Sequence, residues 1–378
     1  MYYNGTMIRA IKRRIYPTGE QAQFLERNFG CARFVYNQLL ERQIKNHEQG
    51  EKFANKYTMV HWLTELKTEN QWLKEADSRA LQEAMFALES GYLSFFRKNN
   101  ASPNFKSKKS ARQSYTTNAN LKVLDGYIQI PKAKLVRYKG KSLGNICPKK
   151  ITISKSAGRY YASIMYDDGR AILEKVPIQK SVGIDMGIKD YAILSDGQKY
   201  ANPKLLSKSE ERLKVLQRRL AKKQKGSNRR SVAKLKVARQ HEKIRNQRQD
   251  FLHKLSNEIT NRYDYVAVED LSVANMVKNH KLAKAIMDCS WGEFAHQLEY
   301  KSEWRGKTLK KIGRFEPSSK TCSNCGYVKH DLTLADREWV CPECHAHLDR
   351  DVNAAKNILV FSSTAGTVGS GRGGADNG

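Results

Sequence analysis

The chain has 378 residues, 68 Lys+Arg against 38 Asp+Glu, and a formal net charge of +30. That length supports two or three domains with cores of their own, and a hydrophobic fraction of 40% argues against a disordered chain. So large a positive excess repels itself in a compact fold unless a polyanion neutralises it, which points to nucleic acid; the plainer alternatives are a basic ribosome-associated protein or a solubility effect.

The start, MYYNGTMIRAIKRRIYP, carries no apolar h-region, and no run reaches membrane-spanning length. A cytoplasmic protein without a membrane partner is predicted, nucleoid-associated when bound to DNA. Four of the seven cysteines sit in CxxC pairs, which suits a reducing compartment and a metal site better than disulfides. Cys31, Cys147 and Cys289 stand alone and read as small buried apolar residues.

In chain order, residues 7–16 alternate apolar and basic side chains and predict a strand, broken by Pro17. Helical periods follow to about Lys98: Phe24 to Leu40, Val60 to Leu73, and Leu81 to Phe95. Residues 99–114 read as a basic connector. The runs YIQI, KLVRY, KKITIS and RYYASIMY predict a small barrel or sheet that the first strand could join, with the helices as an insertion. Residues 179–360 read as one α/β unit. It comprises a three-strand meander, long basic helices, strand DYVAVED, a helix around Lys284–Glu303, strand TLKKIGR, a cysteine knuckle and a last helix, DVNAAKNIL. The tail 362–378 has almost no large apolar residue and is predicted disordered.

Three acids stand at the ends of these apolar elements: Asp185 after SVGI, Glu269 after YVAV, and Asp351 at the start of the last helix. An unpaired carboxylate beside so many apolar residues is costly. Convergent carboxylates are what two-metal phosphodiester cleavage requires, and Mg2+, with its oxygen ligands and retained waters, suits them. Each acid has a plainer explanation. DxG also ends strands in actin-like ATPases and in turns, Glu269 could close a strand before a cap, and DRDVN could be an N-cap favoured by the helix dipole. The three in this order, beside a cysteine knuckle, are more specific than any one. Asp270 and Asp349 are rivals; Asp351 is preferred because it directly precedes the helix, with Asp349 orienting a base or pairing with Arg350.

Between Lys204 and Lys254 there are 18 Lys+Arg against 4 Asp+Glu, around a turn at Gly226-Ser227-Asn228. Most charge runs are solvated faces, but those mix signs. This one predicts phosphate contacts without sequence reading, with Arg218, Arg219, Lys222, Lys223, Arg229 and Arg230 as candidates. Cys322-x2-Cys325 and Cys341-x2-Cys344 have the spacing of two knuckles around one tetrahedral ion. Structural Zn2+ is favoured over a redox or iron–sulfur centre. His330, His345 and His347 are spare imidazoles; His345 could ligate but more readily packs or contacts phosphate.

The segments GIDMGIKD, LQRRLAKKQKGSNRR, KIRNQRQDFLHKLS, VAVEDL, FEPSSKTCSNCG and LDRDVNAAKNI, with PNFKSKKSARQSYTTN and RYYASI upstream, carry a resemblance over nearly the whole chain. The chain resembles the TnpB family, the OrfB-type nucleases of insertion-sequence transposons, which resemble the ancestors of type V CRISPR nucleases.

The resemblance implies an α/β multi-domain protein. An RNase H-like (RuvC-like) nuclease domain would span 179–320 and 346–361, with a zinc-knuckle target-nucleic-acid-binding insertion at 321–345. A wedge β-barrel would span 1–16 and 104–178 and carry recognition helices at 17–103. It implies a Mg2+-dependent, RNA-guided DNA endonuclease that binds a noncoding guide RNA and double-stranded target DNA. Pairing would read the sequence while protein reads a short adjacent motif. It places catalysis and two Mg2+ ions on Asp185, Glu269 and Asp351, and contacts to the adjacent motif on Gln82, Thr117 and Asn118. His345 stands where many relatives have Gly, which leaves the knuckle turn open. The competing readings are a binding-only regulator, which would have a broken triad, and an unguided resolvase or transposase, which would need no RNA.

Overall fold

A computed structural model of the chain describes residues 2–3, 6–110, 112–144, 146–171, 173–313, 316–333 and 336–364. They divide into two compact units, with the boundary at residue 171.

The first unit opens on β1 (Tyr2–Tyr3) and β2 (Thr6–Tyr16). Pro17 ends the strand, and Thr18 starts α1 (Gly19–Glu48) through a reciprocal cap. Its hydroxyl accepts from the Gln21 N–H, while the Gln21 side chain accepts from the Thr18 N–H. Helix α2 (Lys56–Glu69), a 3-10 turn (Gln71–Glu75) and α3 (Ser78–Phe96) follow, with Asn55 and Asp77 capping the two α-helices.

Then come β3 (Arg112–Thr117), β4 (Lys122–Leu124), β5 (Tyr127–Ile130), β6 (Lys134–Lys139), β7 (Cys147–Ser156) and β8 (Arg159–Ala171). Strand β2 pairs antiparallel with both β6 and β8, in the order β3-β7-β8-β2-β6-β5-β4. The helices are therefore inserted between strands of one sheet. Leucines and aromatics of α1–α3 form one core with Tyr115, Ile128, Ile151 and Ile164 of the strands. Strand β3 falls partly inside the segment predicted as a connector. Its inward residues include the polar Thr117, so the apolar alternation that announces a strand is missing. Cys147, expected to be buried, is exposed at the start of β7.

The second unit begins with the meander β9 (Ser181–Asp185), β10 (Asp190–Leu194) and β11 (Lys199–Ala201). Helices α4 (Leu205–Ala221) and α5 (Asn228–Arg262) form a long hairpin, whose turn uses Gly226 at φ +87 and a Ser227 cap. Strand β12 (Tyr265–Glu269) leads to α6 (Val273–Met276), α7 (His280–Cys289), α8 (Trp291–Glu303) and β13 (Thr308–Ile312). The hairpin β14 (Glu338–Val340) and β15 (His347–Asp349) precedes α9 (Arg350–Thr364).

The one helix expected around Lys284–Glu303 is two, because Ser290 adopts a left-handed φ of 53 and turns the chain. The predicted tail starts too early: residues 362–364 still belong to α9, and the rest of that segment lies outside the described residues. Among the described residues no helix is long and apolar enough to cross a membrane.

The five-stranded sheet runs β11-β10-β9-β12-β13, with β12 parallel to both β9 and β13. Side chains alternate between its faces. Val182, Ile184, Val266 and Val268 pack on one face against Leu252, Leu255 and Ile259 of α5 and Phe294 and Leu298 of α8. Ala267 lies on the opposite face, against Ile358 of α9.

Candidate active site and metal centre

Gly183 and Ala267 are paired in register, and both are small. A Cβ on Gly183 would lie 2.0 Å from the Ala355 carbonyl oxygen, so α9 crosses the sheet directly over this strand. Two residues further along β9 and β12, on the same face, stand Asp185 and Glu269. They are neighbours at the carboxyl ends of adjacent parallel strands, one step beyond the Ile184–Val268 pair. One helical turn before Ala355 is Asp351, on the part of α9 that overhangs this edge. Three acids distant in sequence thus line one cavity of about 490 Å³, with Lys189, Lys320, Arg337 and Arg350 on its walls.

Each carboxylate has its own support. Ser318 donates its hydroxyl to Glu269 Oε1 at 2.6 Å. Arg350 donates to Asp351 Oδ1 at 3.0 and 3.2 Å, and Arg337 to Oδ2 at 3.4 Å. Among the described residues, no cation stands that close to Asp185. Burial, then the charges of Glu269 and Asp351, push its carboxyl up to about 7, against smaller opposing effects of Arg350 and the Met186 N–H. A divalent cation would relieve that repulsion, and an all-carboxylate donor set fits a hard, oxygen-seeking ion.

The rival Asp349 has another task. Its Oδ1 accepts from the Asp351 and Val352 N–H groups at 3.0 Å, capping α9, and Oδ2 takes Lys199 at 2.5 Å. The expected Asp349–Arg350 pair is not formed, because Arg350 turns to Asp351. Asp351 itself lies inside the first turn rather than ahead of it. Asp270, the other rival, is exposed.

The four cysteines converge. The Sγ atoms of Cys322, Cys325, Cys341 and Cys344 all lie within 4.8 Å of one another, with 3.7 Å between Cys322 and Cys344 and 3.6 Å between Cys325 and Cys341. Thiolates about 2.3 Å from a tetrahedral ion stand about 3.8 Å apart, so the cluster has the size of one such site. It is the one His/Cys/Asp/Glu cluster this tight among the described residues. The three carboxylates are more open, as like charges held by separate donors should be.

Each knuckle closes on a left-handed residue, Gly326 at φ +83 and His345 at φ 58, so His345 makes the same turn as a glycine would. His330, His345 and His347 are all exposed and none joins the cluster.

The basic hairpin sorts the candidate cations. Arg219, Lys222 and Lys223 of α4 and the turn, with Arg229 and Lys236 of α5, line a groove of about 350 Å³ floored by Leu216, Val232 and Ala233. Arg230 stands apart from this groove. Its guanidinium donates to the Leu220 and Lys223 carbonyls at 3.1 and 2.7 Å, closing the end of α4. Arg218 is outside the groove, and Lys236, not singled out in the sequence, is inside it.

In the first unit Thr117 is a correction. It is fully buried and offers no surface to DNA. Asn118 is exposed and donates to Glu83 at 3.2 Å, while Gln82 is half-buried and accepts from Arg79 at 2.8 Å.

Sequence reasoning also missed Ser318, Arg337, Asn353 and Asn357. The only signal for the last two was a pair of amides one turn apart on an otherwise apolar helix face.

Residues 163–280 match a family described as "Probable transposase", and residues 291–358 match "Cas12f1-like, TNB domain". Residues 7–52 match "Helix-turn-helix domain", although here they form a strand and one helix. A Streptomyces pristinaespiralis protein named "Putative RNA-guided DNA endonuclease" is 40% identical over 371 residues, 96% of this chain and 91% of that one. "Putative RNA-guided DNA endonuclease InsQ" of Escherichia coli (strain K12) is 33% identical over 370 residues, 93% and 92% of the two chains. The fold is similar to the protein in a Cas12f1–sgRNA–target DNA complex, with a TM-score of 0.61 at 14% identity over 94% of this chain and 99% of that one. The chain belongs to the TnpB family.

Proposed function

We propose that this chain is an RNA-guided DNA endonuclease that cuts at a single carboxylate site. The observation that carries the reading is the convergence of Asp185 and Glu269, from one sheet face, with Asp351 of α9 in a cavity walled by cations. The names borne by its full-length relatives support it. The domain reading follows the same lines. Residues 179–320 and 346–361 form a RuvC-like nuclease domain carrying the knuckle at 321–345, 1–16 and 104–178 form the wedge, and 17–103 are the recognition helices.

In this reading the three carboxylates hold two Mg2+ ions. When bound, such ions activate water and stabilise the leaving oxygen of a phosphodiester. The protein's own residues do the rest. Ser318 fixes the orientation of Glu269, and Arg350 and Arg337 hold Asp351 toward the cavity. Lys189 and Lys320 favour an incoming phosphate at its wall. The four thiolates take one Zn2+, and with no open position for water its role is structural.

Guide RNA and double-stranded target DNA are the partners. Phosphates lie along the groove of Arg219, Lys222, Lys223, Arg229 and Lys236, and the motif beside the target meets the surface carrying Gln82 and Asn118. A binding-only regulator has no use for an intact triad, and an unguided resolvase has no use for so large a basic surface.

The test is expression with flanking transposon DNA, followed by sequencing of bound RNA. The 3′ end of that RNA is then reprogrammed against a plasmid carrying a randomised adjacent motif in Mg2+. Target-dependent double-strand breaks are expected. Bound RNA without cleavage favours a regulator, and cleavage of bare DNA without RNA favours a resolvase.

A further inference from the structure

Asn353 and Asn357 are 1% and 3% exposed, one turn apart on α9, and their amides face the loop that enters the cysteine knuckle. Asn353 Nδ2 donates to the Thr321 carbonyl at 2.7 Å, and its Oδ1 accepts from the Ser323 N–H at 2.8 Å. Asn357 Nδ2 donates to the Ser318 and Thr321 carbonyls at 2.7 and 2.5 Å. Ser323 lies inside the Cys322–Cys325 knuckle. Ser318, at the other end of the loop, gives its hydroxyl to Glu269. Asp351 stands two residues before Asn353. One short loop is therefore fastened to Glu269 by Ser318 and to the helix of Asp351 by two buried amides, while its far end is a thiolate knuckle.

Among the described residues, little apolar core holds the knuckle together. Its buried cluster is Cys322, Leu332, Trp339, Cys341 and Leu348, so two of its five members are themselves thiol ligands. A core that small needs a metal to stay folded. Loss of the metal would release Thr321 and Ser323, leaving the Asn353 amide buried without its partners and the Asn357 amide with the Ser318 carbonyl alone, a state the helix can escape only by moving.

We infer that Asn353 and Asn357 are positioning residues that link occupancy of the four-cysteine site to divalent-cation affinity at the carboxylate site. The inference rests on the nuclease reading above and adds a regulation to it: the structural ion sets the spacing of Glu269 and Asp351. Partners that orient metal ligands from outside the ligand shell commonly govern affinity by about 10- to 100-fold.

The test titrates Mn2+ into the full chain and follows free Mn2+ by electron paramagnetic resonance. Wild type, Asn353→Ala and Asn357→Ala are compared, each with zinc present and after zinc has been dialysed away and the chelator removed. Zinc content and circular dichroism are recorded alongside. The expected result is that Asn353→Ala retains zinc and helix yet binds Mn2+ about tenfold more weakly. Zinc removal from wild type should cost a similar factor, and the two losses should not multiply. Unchanged Mn2+ affinity after zinc removal, or losses that multiply independently, would overturn the inference. Zinc removal needs no substitution, so the test stands even if a variant fails to fold. If wild type with zinc shows no Mn2+ site that Asp185→Ala abolishes, the nuclease reading itself falls, a result distinct from failure of the link.

Discussion

The carbonyl oxygen of Ala355 occupies the space that a side chain on Gly183 would need, 2.0 Å from where its Cβ would stand. The obstruction is backbone, which cannot swing aside as a long side chain can. Gly183→Ala should therefore lift α9 from β9 and destabilise the second unit by about 3 kcal/mol. It should also carry Asp351 away from Asp185 and abolish divalent-cation binding. Denaturant unfolding and Mn2+ titration check both effects, and wild-type stability would contradict the close seat of α9.

Asp185 gives the metal-free protein a pH dependence. Its folded-state pKa, about 7, lies above the ordinary 3.8 because of burial and then the neighbouring Glu269 and Asp351 charges. The folded state thus holds a proton that the unfolded state has lost. Its stabilising contribution is complete below about pH 4 and disappears as pH rises through 7. In magnesium-free buffer, Asp185→Asn should melt above wild type at pH 8, with the gap closing toward pH 5. Mn2+ competes with that proton, so its affinity should weaken up to about tenfold per unit as pH falls below 7. Calorimetric melts and titrations across this range decide it.

His345 carries the φ of 58 that closes the second knuckle, where a Cβ is a steric burden. His345→Gly should relieve about 1 kcal/mol and tighten zinc binding by about fivefold, read by competition with a chromogenic chelator. Cys341→Ser should lower zinc content and destabilise residues 315–360. Unchanged zinc stoichiometry in that variant would contradict the four-thiolate site.

The groove on the α4–α5 hairpin predicts a salt dependence. If Lys222 and Arg229 each neutralise a phosphate, replacing both by alanine should reduce the slope of log K against log salt by about 1.4 to 1.8. Arg230→Ala should instead loosen the hairpin while leaving the slope nearly unchanged, because its guanidinium is held by the Leu220 and Lys223 carbonyls. Nucleic-acid binding measured across a salt series separates the two outcomes.

The acids and thiols were legible because both follow local rules. A carboxylate after a run such as VGI or YVAV ends a buried strand, and paired CxxC motifs announce a tetrahedral site. What was not legible depends on which surfaces meet. Thr117 looked available beside Asn118, but an inward step of β3 buries it. Arg230 resembled its neighbour Arg229 until the end of α4 claimed it. Asp351 was preferred over Asp349 for directly preceding the helix, but both flank its start, and what distinguishes them is the pair of cap bonds that Asp349 accepts. The roles of Ser318, Asn353 and Asn357 arise from a loop folding back onto α9, which no spacing in the sequence encodes. The close seat of α9 on Gly183 was not read from the sequence, because only the fold brings the Ala355 carbonyl over that position.

Guided cleavage at one carboxylate site can be measured on the protein–RNA complex itself. Wild type and Asp185→Ala would be compared for cleavage of a matched plasmid in Mg2+, with RNA and target binding measured on the same samples. Equal binding by both, double-strand breaks by wild type and none by the variant are expected. Cleavage by Asp185→Ala at the wild-type rate would contradict cleavage at this site.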